Sequence, residues 1–252
     1  MKRVSLFSAA ICVCVFVIGC GYNPGGPLGP GKTLPAGAGS TYIYNNTPID
    51  TTGKLITDSS YMSVDSVVAA GMTYNGKTNV THFASRNLKT GVITSSYINF
   101  ETNGDISEYV GGSILAFLGI KYPDWVTYPI QTHTASGFQV ADTTINLPVQ
   151  GLGSIPIHMI VVDSITYINW NSFILNNISI PVFNLKHQTN YSGTVTLLIL
   201  PAPFNVNAIT TISFAPSIGY YTDMTTQPFH FPFNVLSAIQ GSEKTLIAYN
   251  LK

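Results

Sequence analysis

Residues 64–85 read VDSVVAAGMTYNGKTNVTHFAS, two β-prone runs on either side of Asn75-Gly76. Asn-Gly suits a type I′ turn, because both central positions need a positive φ and the turn's twist matches that of the strands it joins. Residues 92–110, VITSSYINFETNGDISEYV, repeat the arrangement around Asn103-Gly104, and NLKTG at 87–91 turns the chain between the two hairpins. Residues 59–110 are therefore expected to form a four-stranded antiparallel meander.

The second half carries the same signal. IPIHMIVVDSITYINWNSFIL, TVTLLIL, NAITTISF and KTLIAYNL are rich in β-branched and aromatic residues and are separated by Pro, Gly or Asn clusters. In the last run Leu246, Ala248 and Asn250 alternate with Ile247, Tyr249 and Leu251, which predicts one apolar and one mixed face. Pro181, Pro201, Pro203, Pro216, Pro228 and Pro232 are expected to divide short strands, since proline donates nothing to a ladder interior. Short helices are expected only at 111–120 (GGSILAFLGI) and 233–240 (FNVLSAIQ). The fold class is all-β: a large curved antiparallel sheet or an incompletely closed β-barrel with one or two short helices, the alternative being a β-sandwich.

Upstream of this domain the chain reads as an address. Lys2 and Arg3 precede an apolar run from Val4 to Ile18, the charged and hydrophobic regions of an export signal. The run is shorter than the roughly 20 apolar residues that span a bilayer. Val17-Ile18-Gly19-Cys20 resembles the lipobox of bacterial lipoproteins, in which the cysteine becomes the lipidated N-terminus. The chain's three cysteines are Cys12, Cys14 and Cys20; cleavage before Cys20 removes two and leaves the third as anchor. Residues 1–19 are thus the signal peptide and 20–41 a Gly/Pro-rich tether reaching roughly 25 Å. Residues 42–252 form a single extracytoplasmic domain. Gly21 follows the anchor where lipoproteins kept at the inner membrane resemble one another in carrying Asp, so outer-membrane residence is expected.

Composition excludes some roles. Removing residues 1–19 takes away Lys2 and Arg3 and leaves nine basic against 11 acidic groups, and only 9% of the chain is charged. The few cations are scattered, so no nucleic-acid partner is expected. The five histidines, His82, His133, His158, His187 and His230, are at least 25 residues apart and belong to no metal-ligand pair; they read as surface or hydrogen-bonded side chains, and no metal or cofactor is expected. No Gly-x-Ser-x-Gly elbow is present, and Glu101, Asp105 and Glu108 around the second Asn-Gly read as hairpin-turn charges serving solubility. No catalytic residue is assigned. Asn45, Asn79, Asn177 and Asn190 begin Asn-x-Ser/Thr triplets of the kind that a chain rich in these residues produces by chance. Aromatic residues are the better clue: YPDWVTYPIQTHTASGF and QPFHFPFNV concentrate rings in segments that read as loops or strand rims. Trp125, Tyr128, Phe138, Phe229, His230 and Phe231 are the candidate ligand-binding set.

Short motifs carry a resemblance. YNGKTNVTHF, WVTYPIQTHTASGFQVADTT, FAPSIGYYTDM and the closing KTLIAYNLK are similar to those of uncharacterised β-rich bacterial lipoproteins with the TapB-like or DUF3108-like pattern. In that pattern Gly137, Phe138 and Asp142-Thr143 are followed by an Ala-Pro-x-x-Gly turn, here Ala215, Pro216 and Gly219. The resemblance implies an exported β-sheet fold and no catalytic residues. The expected function is a lipid-anchored, non-enzymatic ligand-binding or envelope-accessory protein of the cell envelope. Its partners would be membrane lipid through acylated Cys20 and an apolar small molecule or envelope protein. The alternative is a structural or adhesive surface component binding envelope proteins or glycans.

Overall fold

The computed structural model describes residues 36–110, 123–149, 153–197, 200–230 and 240–252. The expected signal segment, Cys20, most of the expected tether, Phe231, and nearly all of the two stretches expected to be helical lie outside these residues. Twelve strands form one sheet in which every neighbouring pair is antiparallel. They are β1 (Thr41–Ile49), β2 (Tyr61–Tyr74), β3 (Lys77–Asn87), β4 (Ile93–Phe100), β5 (Ile106–Tyr109), β6 (Trp125–Tyr128), β7 (Ser136–Val149), β8 (Gly153–Leu175), β9 (Ile178–Leu197), β10 (Leu200–Ala215), β11 (Tyr220–Thr226) and β12 (Gly241–Asn250). One 3-10 turn, Thr57–Ser59, is the only helical element among the described residues. The all-β class stands, and the single sheet sets aside the sandwich.

Strand order is β6-β5-β4-β3-β2-β1-β12-β11-β10-β9-β8-β7. The chain begins in the middle of the sheet, walks to one edge, crosses to the opposite edge and walks back. That crossing forces the sheet to curl. Laid flat, twelve strands would set β6 and β7 about 53 Å apart, eleven spacings of about 4.8 Å. Residues 129–135 bridge them, and so short a segment spans at most about 28 Å fully extended. The sheet rolls until its edges approach but do not pair. Contacts across the interior follow: the His187 ring on β9 lies 6.0 Å from that of Tyr128 on β6, and the His133 ring stacks on Tyr167 of β8 at 3.9 Å.

The bridge is held by one carboxylate. Asp105, in the turn before β5, accepts from the Gln131 and Thr132 N–H groups at 2.7 and 3.1 Å and from the Thr132 hydroxyl at 2.9 Å. This buried role replaces the solubility role expected for Asp105. Glu101 likewise pairs with Lys77, and Glu108 points inward.

The expected meander is β2 to β5. Asn75 and Gly76 both have positive φ, 41° and 80°, as a type I′ turn requires. The Asn103-Gly104 turn differs: only Gly104 is positive, at 90°, and its N–H bonds back to Glu101 O at 3.0 Å. This is the three-residue loop in which a type I turn ends in a left-handed glycine.

The second half corrects the expectation of short strands. Pro181 lies inside β9, and Pro201 and Pro203 lie inside β10. Each sits where its strand has a neighbour on one side only. β10 pairs with β9 from Phe183 onward, past Pro181, and β11 pairs with β10 only from Thr210 to Ala215, well beyond Pro201 and Pro203. A missing N–H costs nothing where no acceptor faces it. Gly193 lets β8 and β9 run close together: a Cβ there would strike the His158 carbonyl oxygen. In β12 a bulge opposite Ile43/Tyr44 breaks the expected alternation. Leu246 is buried, Ile247 is exposed, and Tyr249 rather than Ala248 packs on the core.

Two apolar clusters share the concave face. The larger fills the rolled part of the sheet, with Tyr42, Tyr44, Phe83, Ile98, Leu185 and Phe214 fully buried. The smaller lies along the long strands, around Ile157, Met159, Val161, Tyr191 and Val195.

Candidate functional site

Asp163 stands between these clusters. It falls in the inward file of β8, between Val161 and Ile165, and its side chain has no exposed surface. A charge buried this way must be paired. His187, diagonal to it on β9, places Nε2 2.9 and 2.8 Å from its two oxygens, and Thr189, directly opposite, donates its hydroxyl to Oδ1 at 2.7 Å.

A second buried carboxylate lies on the other side of the interior. Asp65 of β2, also with no exposed side-chain surface, accepts from Lys244 Nζ at 2.6 Å and from the Tyr220 hydroxyl at 3.0 Å, both through Oδ2. Its Oδ1 has no partner, nor does the hydroxyl of buried Thr81. Lys244 reaches across the Tyr44 ring, 4.1 Å from its centroid, which stabilises the ammonium in a partly desolvated place.

Glu108 of β5 joins the two halves. It accepts from the Tyr128 and Tyr221 hydroxyls, each at 3.3 Å, one from the edge strand β6 and the other from β11. Burial pushes its carboxyl above the usual range; those two hydrogen bonds and the nearby His187 and Lys244 pull it back down without cancelling the rise. Burial likewise raises the phenols of Tyr44, Tyr220 and Tyr221, and that of Tyr191 to about 12.

Together these residues form a polar belt around the interior, beside the larger cluster. Glu108, His187 and Lys244 keep some accessible surface although protein crowds them, with 19% and 23% of the His187 and Lys244 side chains exposed. The carboxylates behind the two bases have none. The belt thus presents an acid and two bases inward, the bases being oriented by buried partners. The Thr189 hydroxyl is spent on Asp163, so the His187–Asp163 pair does not serve it as a general base.

The candidate aromatic residues do not converge. Trp125 lies on the outer face, donating its indole N–H to Asn75 O at 3.0 Å. Tyr128 is in the belt. Phe138 packs on the larger cluster, and Phe229 packs on the smaller with its ring nearly parallel to Tyr191 at 6.2 Å. His230 is exposed. Of the belt, sequence reading made only Tyr128 a binding candidate; Glu108 had been read as a turn charge and His187 as a surface or hydrogen-bonded side chain, while Asp65, Asp163 and Lys244 each sit singly within a strand, and their inward phase was the one available signal. Among the described residues no three His, Cys, Asp or Glu side chains group as a metal site would require.

On the outer face, register aligns His82, Tyr97, Tyr109 and Trp125 as a row across β3 to β6. The β2–β3 turn folds over this row. Tyr74 stacks on Tyr97 at 3.8 Å, and the Asn75 amide donates to Asp124 at 3.0 Å.

The fold and belt define an all-β protein with one rolled, open sheet and a polar interior. No family model and no curated protein matches the chain. Among solved structures the chain is similar to a Bacteroides fragilis protein, regarded as exported and having a YmcC-like fold. Identity is 12%, coverage is 87% of this chain and 99% of the other, and the TM-score is 0.39.

Proposed function

We propose that this is a lipid-anchored extracytoplasmic protein of the bacterial envelope, non-enzymatic, that holds a ligand in the concave interior of its sheet. The observation that carries the binding role is the belt: accessible Glu108, His187 and Lys244 set among apolar clusters, with the two bases backed by wholly buried carboxylates. Burying charge is costly, and such a network adds little stability over an apolar core. A ligand-binding role accounts for its presence. The anchoring role rests on the lipobox at Val17–Cys20 and the Gly/Pro tether after it. Outer-membrane residence rests on Gly21.

Intact-mass analysis of membrane-purified wild type and Cys20→Ala, with a scan for copurified small molecules, tests both parts. A wild type beginning at a multiply acylated Cys20 and carrying a reproducible ligand is the expected result. An unacylated, secreted wild type would refute the anchor.

The adhesive reading is favoured by one observation, the outer row from His82 to Trp125 with its partly exposed rings. Crosslinking in intact cells separates the two, since a reproducible protein partner at Trp125 would support adhesion.

A further inference from the structure

The belt also constrains the chemistry of its ligand, an inference that rests on the interior-binding reading above. Its inward groups come from strands all around the roll: Glu108 from β5, His187 and Thr189 from β9, Thr210 from β10, Thr226 from β11 and Lys244 from β12. All are partly accessible. Thr210 and Thr226 already bond each other at 3.1 Å.

Charge narrows the choice. An anionic ligand would meet three carboxylates, Asp65, Asp163 and Glu108. A cationic one would meet Lys244, whose ammonium already holds Asp65. A neutral group that both donates and accepts can satisfy both signs at once. It can bond to Glu108 and to Lys244, the acid and the base that keep accessible surface. Hydroxyls have this property.

The adjoining wall supplies the other half of the recognition. Two residues beyond Thr189 in the same inward file of β9 is Tyr191, and the ring of Phe229, which keeps partial exposure, lies nearly parallel to it. An aromatic face beside a ring of hydrogen-bonding groups suits a molecule with hydroxyls on its edge and C–H groups on its face.

We propose that the belt binds a neutral saccharide unit, its hydroxyls at Glu108 and Lys244 and its C–H face against Phe229. The site is distinct from the outer row that contains Trp125.

The test is saturation-transfer NMR and calorimetry on the full-length protein in a zwitterionic, sugar-free detergent. The probes are glucose, galactose, N-acetylglucosamine and maltotriose, compared with glucuronate, glucosamine and palmitate. At least one neutral saccharide should bind, at least tenfold more weakly to Glu108→Gln and Phe229→Ala and equally well to Trp125→Ala. Glu108→Gln keeps the side chain's volume and hydrogen bonding, so it folds even where an alanine would not. Binding by palmitate or glucuronate alone, lost in Glu108→Gln, would overturn the saccharide assignment and leave the interior-binding reading standing. Saccharide binding lost in Trp125→Ala and kept in Glu108→Gln would move the site to the outer face. No binding by any probe, together with no copurified ligand, would overturn both.

Discussion

Lys244→Met should destabilise the protein by about 3 kcal/mol. The substitution keeps the apolar stem over Tyr44 but strands Asp65, which has no exposed side-chain surface and whose Oδ1 already lacks a partner. Only the Tyr220 hydroxyl would remain on that carboxylate. Breaking a buried pair by removing one partner costs about 3–5 kcal/mol. Lys244 is 23% exposed, which places the expected value at the lower end. For a domain of this size that is a fall of roughly 6–12 °C in Tm and about a hundredfold rise in the unfolding constant.

The double variant Asp65→Asn/Lys244→Met should recover to within about 1 kcal/mol of wild type, because it removes both charges and keeps an acceptor for Tyr220. Urea unfolding followed by tryptophan fluorescence, run as a double-mutant cycle, should therefore show a coupling of about 2 kcal/mol. A loss below about 0.5 kcal/mol in Lys244→Met would mean that water reaches Asp65. The dry, paired interior on which the reasoning depends would then be wrong.

Three further outcomes are expected. Glu108 has a folded pKa above its ordinary 4.5, so its stabilising contribution is full below pH 4.5 and is lost as pH rises through the folded value. Wild type should accordingly lose stability relative to Glu108→Gln between pH 4.5 and neutrality, and parallel denaturation profiles would count against this. Asp105→Ala removes three hydrogen bonds that hold the 129–135 bridge; a loss of about 2–4 kcal/mol should come with faster hydrogen exchange at Gln131 and Thr132, and unchanged exchange there would show the bridge held by other contacts. Gly193→Ala forces a methyl onto the His158 carbonyl, and overpacking of this kind costs about 1–3 kcal/mol; a thermal melt indistinguishable from wild type would mean that β8 and β9 are not so tightly paired.

Local chemistry made the meander legible. Asn75-Gly76 dictates its turn because few residue pairs accept positive φ twice, and the β-prone runs on either side supply the two strands, whose register then shifts at irregularities in β2 between Val67 and Tyr74. The long strands were misread because proline is informative only when its neighbours are known. Pro181, Pro201 and Pro203 break no ladder where no strand lies alongside. The β12 alternation failed for a related reason, since a bulge is set by the partner strand β1. Asp105 looked like a turn charge, and only the arrival of residues 131 and 132, from another part of the chain, made it a clamp.

By itself the sequence determined that this chain is a β-sheet protein with hairpins at stated places and few charges. These are properties of neighbouring residues, governed by backbone sterics and by composition. Tertiary structure decided the closure and the belt. Asp65 meets Lys244 across 179 positions, and Tyr221 meets Glu108 across 113. Such pairs depend on which strands a rolled sheet brings face to face, and the roll follows from a seven-residue bridge between its two edges. No local pattern encodes that distance.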